Sequence, residues 1–115
     1  MQEGKLVPQG KHKAKLVGYQ AKEGKNGTAY IEFTFKTEND ELVWLKNYFT
    51  PKALPSTLKT YHTLGFTGDD PSQVLEREFG TGLFDEEFTY IVEVEHTEYN
   101  GKTYARAKWV NRPGS

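Results

Sequence analysis

The chain has no cysteine and a single methionine among its 115 residues. Without cysteine there is no disulfide framework and no thiolate metal site. Also absent is an apolar run of the ~18 to 20 residues that a membrane-spanning helix needs. The opening segment, MQEGKLVPQG, carries no apolar signal region. Neither sign of charge dominates: 15 Lys and Arg against 16 Asp and Glu leave a formal net charge of -1. A polyanionic partner would therefore need positive charge gathered locally. Together these absences lead to the expectation of a cytoplasmic protein that does not associate with membranes.

Aromatic residues and glycine are what the chain does have. Aromatics make up 14% of it, so a few large side chains can fill a core, and the 11 glycines imply many turns. The length is that of one domain, 1–115, with 1–10 expected as an N-terminal extension and 112–115 as a C-terminal tail or cloning remnant.

Most of the chain alternates with the period of a strand. Lys11 to Glu23 is a first strand, with Gly18 suggesting a bulge or bend. A turn cluster with Asn26-Gly27 leads into AYIEFTFKT, where Ile31, Phe33 and Phe35 form one face and Tyr30, Glu32, Thr34 and Lys36 the other. After a polar turn at Glu38 to Asp40 comes ELVWLKNYFT. Here Val43, Leu45, Asn47 and Phe49 make a core face, while Leu42, Trp44, Lys46 and Tyr48 face the other way.

The pattern then breaks. Pro51 and Pro55 exclude a central strand, Ser56 is expected to cap a helix carrying Leu58 and Tyr61, and Gly65 stops it. GDDPSQVLEREFG suggests a second short helix with Asp70 as its cap and Pro71 in its first turn. Two long β runs, Glu87 to Tyr99 and Thr103 to Asn111, flank Asn100-Gly101 and predict a hairpin. The order β-β-β-α-β-β predicts an all-β fold with a helical insertion, the five-stranded OB-fold barrel with its helix between strands 3 and 4, an order that small β-sandwiches and other compact barrels share.

The early GKHKAKLVGY, the block YFTPKALPSTLKTYHTLGFTGDDPS and the late YNGKTYARAKWVN resemble, in that order, small bacteriophage-encoded OB-fold single-stranded DNA-binding proteins. The resemblance covers most of the chain. It implies coating of single strands in phage DNA replication or recombination, in the host cytoplasm. It also implies contacts with replication or recombination proteins and a capacity to form homo-oligomers. Such proteins often end in an acidic tail that recruits partners, whereas this sequence ends in NRPGS.

The residues themselves point the same way. Binding single strands needs π surfaces on which bases stack, worth about 1 to 3 kcal/mol per base, and cations that follow the phosphates. Tyr30, Lys36, Trp44, Lys46 and Tyr48 lie on the non-core faces of strands 2 and 3, and Tyr104, Arg106 and Lys108 share a face of strand 5. Lys22, Lys25 and Lys102 add charge from the flanking loops. A second destination is open for Trp44, packed beneath the helix or the segment LVPQG. Trp109, in step with Ala105 and Ala107, is expected in the core. Glu93 and Glu95 form an acidic row that should lie away from a phosphate-binding groove.

Catalytic patterns are lacking. There is no Gly-rich phosphate loop, and His12, His62 and His96 are far apart, expected as surface or hydrogen-bonded residues. Asp69-Asp70 fits a turn and cap better than a metal site. The expectation is a non-enzymatic protein without cofactors that binds single-stranded DNA, with RNA as a variant of the same partner class. The alternative is an OB-like protein-interaction or oligosaccharide-binding module.

Overall fold

The computed structural model describes residues 7–24, 27–70, 73–74, 83–85 and 88–113. Five strands and one helix follow in the order β1 (Gly10–Glu23), β2 (Ala29–Thr37), β3 (Leu42–Tyr48), α1 (Leu54–Thr63), β4 (Thr89–Tyr99) and β5 (Lys102–Asn111). The strands make one antiparallel sheet in the order β3-β2-β1-β4-β5. Chain neighbours pair through short turns, and among the described residues the one long-range ladder joins β1 to β4.

Local chemistry explains the turns. Asn100 and Gly101 both have positive φ, 54° and 78°, as a two-residue mirror-image hairpin turn requires. Asp40, at φ 62°, closes the β2–β3 turn, where the Thr37 hydroxyl accepts bonds from the Asn39 and Glu41 amides at 3.3 and 3.2 Å. In β1 the register slips between Leu16 and Gly18, leaving Val17 as the extra residue. This is the irregularity that Gly18 signals in the sequence. The slip lets β1 pair along its first half with β4 and along most of its length with β2.

The helix begins differently from expectation. Ala53 is the N-cap, no side chain caps it, and Pro55 sits in the first turn, so Ser56 is already inside the helix. The turn is held instead by Thr50, whose carbonyl accepts from the Leu54 amide at 2.9 Å and whose hydroxyl accepts from Ala53 at 3.2 Å. At the other end Gly65, at φ 104°, ends the helix as read. A Cβ there would lie 2.7 Å from Asp85 Cγ, so glycine is required twice over. The Thr57 hydroxyl donates to the Tyr48 carbonyl at 2.8 Å, tying α1 to the end of β3. Of the second helix only Gln73 and Val74 are described, in a 3-10 turn where the Gln73 amide donates to the Asp70 carbonyl at 3.1 Å. The rest of that expected helix lies outside the described residues.

One face of the sheet and α1 enclose the core. Ile31, Phe33, Phe35, Val43, Tyr61, Tyr90 and Val92 are fully buried. Phe33 is central, with its ring 5.9, 5.6 and 5.3 Å from those of Tyr19, Tyr61 and Phe84 in edge-to-face contacts. Val7 is buried with this core, and the His96 ring nitrogen donates to its carbonyl at 2.8 Å. His12 and His62 likewise bond the carbonyls of Pro8 and Gly68, so all three histidines are hydrogen-bonded to backbone as expected. Near the C-terminus, Arg112 donates to the Thr63 carbonyl, pairs with Asp85 and lies 4.5 Å over the Phe88 ring, anchoring the end of β5 to the helix.

Two buried tyrosines make the fold sensitive to alkali. Burial pushes the Tyr90 phenol up to about 12 and raises that of Tyr61, whose hydroxyl has no hydrogen-bond partner among the described residues. A phenol that holds its proton in the folded state to higher pH than in the unfolded chain stabilises the fold below the unfolded value of about 10. That contribution is lost as pH climbs from there through the folded value, by up to about 1.4 kcal/mol per pH unit per tyrosine. The expected result is a melting temperature that is level below pH 9 and falls steeply between pH 10 and 12. A melting temperature unchanged across that window would mean that neither phenol is held out of water.

Candidate nucleic-acid interface

The alternation of β3 has the predicted outcome: Val43, Leu45 and Asn47 are buried, and Leu42, Trp44, Lys46 and Tyr48 are exposed. Trp44 is 40% exposed, so it packs neither under the helix nor under the N-terminal segment. Cross-strand pairing puts Thr34 beside Trp44, Glu32 beside Lys46 and Tyr30 beside Tyr48. The Tyr30 and Tyr48 rings meet at 5.2 Å, and the Lys46 ammonium stands 5.4 Å from the Tyr30 centroid.

The edge strands β3 and β5 turn toward each other. Between them runs a groove of about 400 Å³. Leu45, Ala105 and Ala107 are among its lining, and the small alanines of β5 leave room for its depth. Trp44, Lys46 and Tyr48 line one wall, and Tyr104, Arg106 and Lys108 the other. Tyr104, at 47% exposure, is the aromatic that faces β3 from the far side.

The remaining candidate residues are dispersed. Lys22 sits at the rim, where its ammonium meets Glu32 at 2.7 Å, and that hydrogen bond and charge raise its pKa. Lys36 is outside the groove: it pairs with Asp40 at 3.5 Å and lines a separate hollow with Lys13 and Lys15. Lys102 is exposed beside the β4–β5 turn and does not line the groove. Lys25 lies outside the described residues.

Two expectations are overturned. Trp109 is 44% exposed, because the β4–β5 register shifts between Glu93 and Val94 so that Trp109 pairs with Glu93 and Ala107 with Val94. The bulge at Lys108 breaks the alternation on which a core assignment depended. Nor does the acidic row lie on an opposite face. Glu95 pairs directly with Arg106, and its carboxylate accepts from Arg106 Nε at 3.0 Å. Paired residues of antiparallel strands project to the same side of a sheet. The groove thus carries internal counter-charges: Glu95 holds Arg106, and Glu32, itself among the lining residues, holds Lys22.

No protein-family model matches the chain, and no curated protein matches it. Among the described residues no helix is long and apolar enough to cross a membrane.

Proposed function

We propose that this protein binds single-stranded DNA without regard to sequence, as a non-enzymatic coating protein on an OB-type barrel, with RNA as a competing ligand of the same kind. The strand order, the helix between β3 and β4 and the approach of the β3 and β5 edges support the barrel assignment. The observation that carries the functional reading is the groove, where Trp44 and Tyr48 flank Lys46 on β3 and face Tyr104, Arg106 and Lys108 on β5. Exposed rings separated by cations suit a ligand that alternates bases with phosphates. The resemblance to phage single-strand binding proteins adds DNA replication or recombination as the setting, with proteins of those processes and further copies of this chain as partners.

Anisotropy of a fluorescein-labelled oligo-dT tests this. Affinity is expected to fall as salt rises, with a slope near -0.7 per phosphate contact, and unlabelled single strands are expected to compete better than duplex of the same sequence. Salt-independent affinity, or equal competition by duplex, would remove the stacking groove from the account. Absent binding to oligo-dT but binding to an oligosaccharide or protein would favour the interaction module, a reading that Glu32 and Glu95 in and beside the groove keep in play.

A further inference from the structure

A second cleft, of about 540 Å³, lies between β3, β5 and α1. It adjoins the first groove: Leu45, Lys46, Tyr48 and Lys108 line both. Its chemistry is different. Lys46, Lys59 and Lys108 line it, and no Asp or Glu does among the described residues. The β3–β5 groove, by contrast, has Glu32 in its wall. Ser56 and Thr60 of the helix also line this cleft. Asn47 also lines it, 7% exposed, and its Nδ2 is a buried donor without a hydrogen-bond partner among the described residues. At the β5 side stands Trp109, turned out of the core by the bulge, with the Lys108 ammonium 4.8 Å from its ring centroid.

Lysines from three elements with no carboxylate in the lining among the described residues, and one exposed indole, fit an anion joined to a flat ring. We infer that this cleft is a second nucleotide station: Trp109 stacks a base while Lys59 and Lys108 contact the adjoining phosphate. The station rests on the single-strand binding reading and extends it, continuing the path of the strand from the β3–β5 groove across Lys108 to the face of α1. The bulge serves this path, since an unbroken β5 would direct Trp109 inward and leave only Lys108 at the surface.

The two tryptophans allow a direct test, because Trp44 lines only the first groove and Trp109 only the second. In Trp44→Phe, which keeps a stacking ring in the first groove, all tryptophan emission comes from Trp109. Oligo-dT of about 16 nucleotides, the upper end of the site size of one OB fold, is titrated while anisotropy of a labelled copy reports binding. Quenching of Trp109 emission in parallel with binding is expected. In the wild-type background, Trp109→Ala is expected to weaken binding about 5- to 150-fold, equivalent to about 1 to 3 kcal/mol. Lys59→Ala, an exposed helical position that leaves the indole untouched, should reduce the salt slope by about 0.7. Binding by anisotropy with silent Trp109 emission and an unchanged salt slope in Lys59→Ala overturns the second station and leaves the first intact. No binding by the wild type overturns both.

Discussion

Trp44→Ala is expected to lower affinity for oligo-dT about 5- to 150-fold, the equivalent of about 1 to 3 kcal/mol for one stacked base, and to leave the melting temperature almost unchanged. The two halves of this expectation have separate causes. On the binding side, Trp44 is a wall of the β3–β5 groove and is 40% exposed. On the stability side, its neighbour across the ladder is Thr34, and a cross-strand pair of an aromatic with a β-branched residue contributes only about 0.2 to 1 kcal/mol. Were Trp44 a core residue, the same change would cost about 3 to 5 kcal/mol. Melting and titrating one variant separates the cases. A strongly destabilised protein, or a stable one with undiminished affinity, would remove Trp44 from the binding surface.

Phe33→Ala should do the opposite, leaving the groove chemistry untouched and costing about 3 to 5 kcal/mol of folding stability. Phe33 is fully buried and meets the rings of Tyr19, Tyr61 and Phe84, so truncation removes one side of three edge-to-face contacts and opens a cavity. Set against the 5 to 15 kcal/mol typical of a whole domain, that is about a fifth of the total or more. The denaturation midpoint should drop with little change in the slope of the transition. A loss below about 1 kcal/mol would show that the aromatic cluster does not carry the core.

The two substitutions mark how far the sequence alone was readable. Strict alternation in AYIEFTFKT and in the third strand told Phe33 from Thr34 and Leu45 from Trp44, because a period of two assigns every side chain to a face. Asn100-Gly101 located the last turn for a stereochemical reason, since both of its residues have positive φ. A two-residue loop pairs Tyr99 with Lys102, and counting back along both strands pairs Glu95 with Arg106, so the salt bridge on the groove side was available from the sequence. Trp109 was not. Its exposure depends on the bulge at Lys108, and no glycine or proline near that position announces one. The start of α1 was missed because a threonine four residues upstream of the first helical position, rather than a capping serine, holds the turn.

The β1–β4 ladder, which aligns Lys15 with Thr89 and Gly10 with Val94, has a kinetic consequence. The hairpins β2–β3 and β4–β5 need only close short turns, events of about 1 to 10 μs. Joining them requires that the chain between Lys15 and Thr89, well over half of its length, be looped before any of that ladder's contacts form. The entropic cost of such a closure is met before it is offset, which places all-β folds dominated by distant pairings in the millisecond-to-second range. Folding should therefore be limited by the docking of the C-terminal hairpin onto β1. Changes along Lys11 to Lys15 and changes in the β4–β5 turn should both slow folding itself and leave the unfolding rate little altered, because ladder and turn are formed in that limiting step.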